Sequence, residues 1–196
     1  MIALAVLVPA GYLLGAVPTG LVFGKLAGVD PRRIGSGRVG ATNTYRALGF
    51  WPSVAVAAID AGKGALMAYL GLRFAPSAVG VDAIVLATVL GQVYSIFLLA
   101  QGGRGVATTG GAALVLWPLA LTVALIFGVA TWFRYRTNSV ASLSAVGALP
   151  IAVEVIYRDW RGALFALLLG ALVWWSHRDN LQRLRAGTEP RTARRA

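Results

Sequence analysis

The segment from Gly35 to Asn43 has the sequence GSGRVGATN, which contains three glycines. Glycines allow successive backbone N–H groups to turn toward an anion. Ser36, Thr42 and Asn43 add side-chain donors, and Arg46 follows within about one helical turn. A guanidinium binds phosphate oxygens in a bidentate manner. We therefore predict that this segment, the first glycine loop, binds a phosphate group together with Arg46.

The first glycine loop also nearly matches the Walker A motif of nucleotide-binding proteins. Ala41, however, occupies the position of the motif's lysine. An apolar segment typical of a membrane helix precedes the loop, whereas a Walker A loop follows a strand. The sequence therefore favours phosphate binding without nucleotide hydrolysis. The structural alternative is an ordinary flexible loop.

A second glycine-rich segment, the second glycine loop, has the sequence GGRG and comprises Gly102, Gly103, Arg104 and Gly105. It leads directly into an apolar helix, so the unpaired N–H groups and the positive end of the helix dipole would favour an anion. Arg104 adds a charge that can neutralise phosphate. A glycine turn before a helix is common, so the prediction of a phosphate site depends on both loops lying on one side of the membrane.

Polar residues also mark the ends of two later apolar segments. His177 and Asn180 follow the last apolar segment, and a histidine can accept or orient a hydroxyl proton near neutral pH. Ser139 and Ser142 open an earlier segment and share one helix face. Helix capping and packing are the structural alternatives for these serines. We predict His177, Asn180 and Ser142 as candidate catalytic residues.

Asp60 and Lys63 are three residues apart in an apolar segment. They lie on one helix face, where pairing would offset the cost of burying both charges. Lys63 either makes this structural pair or binds an anion, and it is included among the candidate phosphate ligands. The sequence has no cysteine and one histidine, and it shows no cluster of metal ligands and no carboxylate dyad. We therefore predict no metal and no cofactor.

The elements that must position these residues are membrane helices. The 196-residue chain is 58% hydrophobic and only 13% charged, above the apolar share and below the charged share of soluble domains. Apolar runs occupy about residues 2–24, 52–72, 80–100, 110–133, 140–157 and 161–176. We predict an all-α integral membrane protein, with residues 1–196 forming one polytopic domain that ends in a basic tail at about 183–196.

The run 110–133 determines the predicted topology. If it divides near Pro118, the chain has about seven spans, and most of its 18 Lys and Arg residues share one side. The positive-inside rule makes that side cytoplasmic, with the N-terminus outside and the C-terminus inside. Five spans with a re-entrant hairpin are the alternative. The net charge of +11 follows from this topology and does not indicate nucleic acid binding.

These motifs together resemble the bacterial acyl-phosphate-dependent glycerol-3-phosphate acyltransferase family, PlsY, from about Gly15 to Pro190. The matching segments are GSGRVGATN with Arg46, Asp60 with Lys63-Gly64, GGRGVAT, and His177 and Asn180 with GTEP at 187–190. The chain departs from the family pattern at Arg38, where asparagine is usual, at Gln92, where histidine is usual, and at Arg104, where lysine is usual.

The resemblance implies transfer of a fatty acyl group from acyl phosphate to the 1-hydroxyl of glycerol 3-phosphate, at the cytoplasmic face of the bacterial inner membrane. Membrane lipid is then the implied surrounding, and lysophosphatidic acid and phosphate are the implied products. Two other interpretations stay open. One is a family member with another acceptor or without turnover. The other is a transporter of phosphate compounds, which would place polar residues along a path through the midplane.

The resemblance also implies roles for single residues. Ser36, Arg46 and Arg104 would bind phosphate groups with the help of the glycine N–H groups of the second loop. His177 and Asn180 would position glycerol 3-phosphate, with Ser142 nearby. Glu189 resembles a family glutamate with a structural role, pairing with an arginine.

Overall fold

The computed structural model of the chain describes residues 2–191, and within that range every regular element is helical. The α-helices are α1 (Ile2–Ala16), α2 (Thr19–Leu26), α3 (Ala41–Leu48), α4 (Phe50–Phe74), α5 (Ala78–Val93), α6 (Val106–Leu116), α7 (Pro118–Tyr135), α8 (Asn138–Tyr157), α9 (Trp160–Ser176) and α10 (Arg178–Arg185). Short 3₁₀ turns occupy Pro31–Arg33 and Ile96–Leu98. The predicted all-α class is confirmed.

Five segments of the described chain are long and apolar enough to cross a membrane. They are Ile2–Leu26, Phe50–Phe74, Ala78–Leu98, Pro118–Tyr135 and Asn138–Tyr157. The 25 residues of α4 extend about 37 Å at 1.5 Å per residue, more than the ~30 Å of a hydrocarbon core. The apolar helices α6 and α9 are shorter. Seven apolar segments thus match the seven-span prediction in number, while the count of spans and the side of each terminus stay predictions.

The surface of the described chain carries many large apolar side chains. Leu125 and Phe127 on α7 and Leu167 and Leu168 on α9 are all at least half exposed. Exposing such a surface to water is unfavourable, whereas its contact with apolar lipid tails is not. The exposed apolar residues therefore support the predicted membrane environment.

Two prolines interrupt apolar runs. Pro118 opens α7 directly after α6, which confirms that the run 110–133 contains two helices. Pro18 separates α1 from α2, although the sequence predicted one helix over 2–24. Because proline has no N–H and disfavours the helical conformation of the preceding residue, the helix ends before it. The break leaves the Val17 carbonyl without its usual helical partner.

The polar segment at 25–50, between the first two apolar runs, is partly helical although it lies outside every apolar run. It contains α3 and the Pro31–Arg33 turn. The Asp30 carboxylate caps this turn by accepting the Arg32 N–H at 3.0 Å. The helix α6 begins at Val106, ahead of the apolar run that starts at about residue 110 and directly after the second glycine loop. The 8 residues of α3 are too few for its amphipathic pattern to mark a helix in the sequence.

The chain forms two compact units. In the N-terminal unit (residues 1–116), α1 packs on α5, and α4 packs on α5, α6 and α3. In the C-terminal unit (residues 117–196), α8 packs on both α7 and α9. The predicted single membrane domain over 1–196 stays a prediction. The predicted basic tail is described through Arg191, and its remaining residues, 192–196, lie outside the described part.

Glycines allow the helices of the N-terminal unit to contact each other backbone to backbone. A Cβ atom at Gly64 of α4 would collide with the carbonyl of Thr108 on α6, and one at Gly111 of α6 would collide with the carbonyl of Ala61. Small residues at helix contacts permit this approach in membranes. The contact fixes the start of α6, and hence the end of the second glycine loop, against the middle of α4.

Candidate active site

Asn43 organises the first glycine loop from inside. Its Oδ1 accepts the Ser36 N–H at 3.1 Å, while its Nδ2 donates to the carbonyls of Pro31 at 2.7 Å and Arg38 at 2.8 Å. The residue is 1% exposed. Because these bonds occupy both ends of its amide, Asn43 shapes the loop, and its predicted role as a direct phosphate ligand is not supported by the geometry.

Arg46 lies along the same loop, one turn after Asn43 on α3. A Cβ atom at Gly35 would lie 3.0 Å from its Cδ and 3.4 Å from its Nη1. Gly35 has φ +58°, a left-handed conformation that glycine adopts without steric cost. Arg46 and Thr42 are exposed and Ser36 is half-buried. These three side chains can therefore meet a ligand at the loop surface.

A neighbouring arginine is already paired. Arg32 donates through Nε and Nη2 to the Asp30 carboxylate, at 3.0 and 2.8 Å. The side-chain and backbone hydrogen bonds from Arg32 lower the pKa of Asp30 from 3.8 to about 2. The carboxylate therefore stays ionised at neutral pH and neutralises Arg32. This makes Arg46 the better candidate for binding an anion.

The second glycine loop is held against the end of α5. The Gly102 N–H donates to the Val93 carbonyl at 3.1 Å, and the Gly103 N–H donates to the Gln92 carbonyl at 2.8 Å. These two N–H groups are therefore engaged within the protein, which corrects the prediction that they bind phosphate. Gly105, at φ +78°, turns the chain into α6.

The first turn of α6 offers other donors beside Arg104. The first N–H groups of any α-helix lack intrahelical partners, and here they belong to residues from Val106 onward. Within residues 2–191, the hydroxyls of Thr108 and Thr109 are buried without a hydrogen-bond partner. Arg104 itself is half-buried. The helix dipole and this arginine together favour an anion at this end of α6.

The two glycine loops lie side by side in the N-terminal unit. A Cβ atom at Gly40, which precedes α3, would lie 4.0 Å from the Cα of Gly103. The segments that precede α3 and α6 are therefore in contact. The sequence predicted that both loops share one side of the membrane, and the structure brings them together.

A buried polar cluster lies next to the second glycine loop. The Lys63 ammonium, with three N–H donors, lies within hydrogen-bond distance of four oxygens: those of Val17 (2.7 Å), Thr19 (2.7 Å), Asp60 (2.8 Å) and Gln92 (3.3 Å). Both side chains of the ion pair are 4% exposed. Lys63 is thus saturated by protein oxygens, which favours its structural alternative over the predicted phosphate binding. We refer to Thr19, Asp60, Lys63 and Gln92 as the Lys63 cluster.

Sequence reasoning missed how this cluster is completed. The signal was Pro18, because a proline inside an apolar run frees carbonyls of the preceding turn. The freed carbonyl of Val17 meets Lys63, and the freed carbonyl of Ala16 accepts the Ser95 hydroxyl at 2.5 Å. In the sequence, Gln92 stands out only as a departure from the family pattern.

His177 is fixed at the end of α9 in the C-terminal unit. It is 3% exposed, and its Nδ1 lies 2.8 Å from the Val173 carbonyl. A carbonyl oxygen only accepts, so Nδ1 carries the proton of this bond. In the neutral ring Nε2 is then a proton acceptor. The geometry suits the predicted role in orienting or accepting a hydroxyl proton.

Glu189 joins three side chains of the C-terminal unit. Its carboxylate accepts from Asn180 Nδ2 at 2.5 Å, Ser139 Oγ at 2.8 Å and Arg183 Nε at 2.7 Å. Burial raises its pKa, but these three bonds outweigh burial and leave the pKa below its ordinary 4.5. The arrangement fits the structural role that the family resemblance implies for Glu189.

The same bonds orient Asn180 and the face of α8 that carries Ser142. Asn180 is 8% exposed, and within residues 2–191 its Oδ1 is buried without a partner. Ser142 is half-buried one turn after Ser139. An acceptor oxygen that the protein leaves unsatisfied is suited to a hydroxyl of a ligand.

The fold and these residues define an integral membrane protein whose two glycine loops precede α3 and α6. The sequence profile of the family described as "Glycerol-3-phosphate acyltransferase" matches residues 5–187. A relative of that name from Geotalea daltonii is 40% identical over 184 residues, 94% of this chain and 95% of its own. "Glycerol-3-phosphate acyltransferase 2" of Moorella thermoacetica is 43% identical over 94% of this chain and 95% of its own. The chain belongs to the glycerol-3-phosphate acyltransferase family.

Solved structures agree with this assignment. The chain is similar to the crystal structure of PlsY (YgiH), an integral membrane glycerol 3-phosphate acyltransferase, in its glycerol 3-phosphate form. The TM-score is 0.91 at 34% identity, covering 97% of this chain and 96% of that one. The lysophosphatidic acid form of that protein gives a TM-score of 0.89 at the same identity. The predicted family and the helical membrane fold are confirmed.

Proposed function

We propose that this protein transfers a fatty acyl group from acyl phosphate to the 1-hydroxyl of glycerol 3-phosphate. The observation that carries the proposal is the adjacency of the two glycine loops, at Gly40 and Gly103, each followed by a helix N-terminus and accompanied by an arginine. Such a place suits the phosphate groups of both substrates. Relatives named for glycerol 3-phosphate acyl transfer support the same reaction.

The reaction needs little from the protein beyond alignment and charge neutralisation. The hydroxyl oxygen attacks the acyl carbonyl carbon, the bond between that carbon and the phosphate oxygen breaks, and phosphate leaves. The hydroxyl proton passes to the departing phosphate or to His177. An acyl phosphate is already activated, so positioning and neutralisation of developing charge supply the catalysis. No covalent acyl-enzyme, metal or cofactor takes part in the proposed mechanism.

The candidate residues divide into phosphate-binding and acceptor-positioning groups in this proposal. Ser36, Arg46 and Arg104 bind phosphate oxygens together with the first N–H groups of α6. Arginine keeps the charge of the lysine usual in the family at position 104, and its planar fork adds a second donor toward phosphate. His177 and Asn180 position glycerol 3-phosphate, and Ser142 contributes a hydroxyl.

The proposed reaction takes place at the inner leaflet of the bacterial inner membrane. The chain crosses the membrane about seven times as one polytopic domain, with the N-terminus outside and the C-terminus in the cytoplasm. The basic residues that flank the apolar segments support this orientation. The acyl chain then lies in lipid while the phosphate group meets the glycine loops.

The test is phosphate release from palmitoyl phosphate by the purified protein, with and without glycerol 3-phosphate. We expect release that depends on the acceptor and falls about 10- to 100-fold in Arg104→Ala, since hydrogen bonds to charged groups contribute about 1.5–3 kcal/mol. No release above a heat-treated control, from protein shown to be folded, would contradict the proposal. Release that requires a different acceptor would move the assignment to a diverged family member.

A further inference from the structure

Gln92 belongs to two parts of the N-terminal unit at once. Its side chain is in the Lys63 cluster, where Nε2 donates to Asp60 Oδ2 at 2.9 Å and Oε1 accepts from Lys63 Nζ at 3.3 Å. Its main-chain carbonyl accepts the Gly103 N–H at 2.8 Å. One residue therefore connects the buried ion pair to the second glycine loop.

The contact between Gln92 and the loop is close. A Cβ atom at Gly103 would lie 2.8 Å from Gln92 Nε2, and one at Gly102 would collide with the Gln92 carbonyl. Neither glycine has a positive φ, so the backbone conformation does not require glycine at 102 or 103. The close approach of Gln92 explains both glycines instead. The amide of Gln92 is thus part of the surface on which the loop rests, and a displaced amide would displace the loop.

Burial makes the connection stiff. Asp60 is 2% exposed, and Lys63 and Gln92 are each 5% exposed. Water has little access to replace a lost hydrogen bond in such a cluster, so each group holds its neighbours in place. The three residues come from two helices, α4 and α5, and Thr19 adds α2, since its hydroxyl donates to Asp60 Oδ1 at 2.8 Å.

We propose that Gln92 is a positioning residue: the Lys63 cluster, acting through Gln92, sets the place of the second glycine loop and so of the phosphate that Arg104 and the start of α6 bind. The identity of the ligand rests on the proposed function. The coupling of cluster to loop rests only on the contacts above. The two parts can therefore fail separately in experiment.

The first test measures the loop without substrate. Gln92→Met preserves side-chain volume and removes both polar contacts. We expect hydrogen exchange of the backbone amides at 102–106 to become about tenfold faster, as expected when a buried hydrogen-bond network loses one member. Thr88→Val is the matched control, because Thr88 is a fully buried residue one turn earlier on α5 whose hydroxyl, within residues 2–191, bonds only to the Ile84 carbonyl of its own helix.

The second test measures catalysis. In Gln92→Met we expect the KM for one of the two phosphate substrates to rise about tenfold while kcat stays within about twofold, because a displaced loop weakens phosphate binding before it alters the chemistry. Gln92→His, which retains an N–H donor toward Asp60, should restore most of the lost affinity. Thr88→Val should match the wild type.

The outcomes separate the proposals. Unchanged exchange at 102–106 in folded Gln92→Met, or faster exchange with both KM values unchanged, would overturn the role of Gln92. If Gln92→Met does not fold, Gln92→Asn, which shortens the side chain and retains its polarity, carries the same comparison. A wild-type protein without acyltransferase activity would overturn the proposed function, and the exchange measurement would still decide whether the cluster positions the loop.

Discussion

Replacing Lys63 by methionine should destabilise the fold strongly. Methionine retains most of the side-chain volume but removes the ammonium that meets four oxygens. Asp60 would keep only the donors of Thr19 and Gln92 in a site where its side chain is 4% exposed. Breaking a buried ion pair by removing one partner costs about 3–5 kcal/mol, because the remaining charge is uncompensated.

The melting temperature reports this cost directly. For a chain of this size, 3–5 kcal/mol corresponds to a decrease on the order of 10 °C. The six tryptophans provide an intrinsic fluorescence signal for unfolding in detergent. The double variant Asp60→Asn/Lys63→Met removes both charges, so it should recover a large part of the loss. The melting temperatures of the wild type, Asp60→Asn, Lys63→Met and the double variant form a double-mutant cycle that isolates the coupling between the two charges.

The same experiment decides between the two sequence-based interpretations of Lys63. If Lys63 bound substrate phosphate, Lys63→Met would melt near the wild-type temperature and lose activity through a raised KM. A wild-type melting temperature, or a double variant as unstable as the sum of the single variants, would refute the structural interpretation.

Three further predictions concern residues at the loops and helix ends. His177→Ala should lower kcat about 10²- to 10⁴-fold, the usual contribution of a general base, with a melting temperature that shows retained fold; near wild-type turnover would remove His177 from the mechanism. Arg46→Ala should raise the KM for a phosphate substrate about 10- to 100-fold, whereas Arg32→Ala, its control, should not, because Arg32 is paired with Asp30. The pKa of Glu189 lies below 4.5 in the folded protein. Its stabilising effect is therefore present above that pH and is lost as the pH falls through the folded value. Between pH 6 and pH 3 the melting temperature of the wild type should decrease more steeply than that of Glu189→Gln, and equal slopes would contradict this prediction.

The membrane helices and the glycine loops were predictable from the sequence because their signals are local. Long apolar runs indicate spans, and Pro118 indicated a division of the run 110–133 that the structure confirms. Pro18 carried the same kind of signal inside residues 2–24, where one helix was predicted. The helix α3 was missed because it has only 8 residues, too few for its amphipathic pattern to mark a helix in the sequence.

The partners of single polar groups were not predictable in the same way. Glycines at 102 and 103 fit either an anion-binding loop or a close approach to another segment, and only the tertiary contact with Gln92 distinguishes them. Asn43 has a side-chain donor and acceptor in any loop, but whether its amide bonds to the loop or to a ligand depends on the positions of the Pro31 and Arg38 carbonyls. Long-range packing decides such cases, and neither composition nor spacing contains it.

The most direct test of the central claim is identification of the product. Purified protein would be incubated with palmitoyl phosphate and isotopically labelled glycerol 3-phosphate, and the lipid product would be analysed by mass spectrometry while phosphate is quantified. We predict labelled 1-palmitoyl lysophosphatidic acid and phosphate in equal amounts. Free palmitic acid with phosphate, or no labelled lipid from folded protein, would contradict the account.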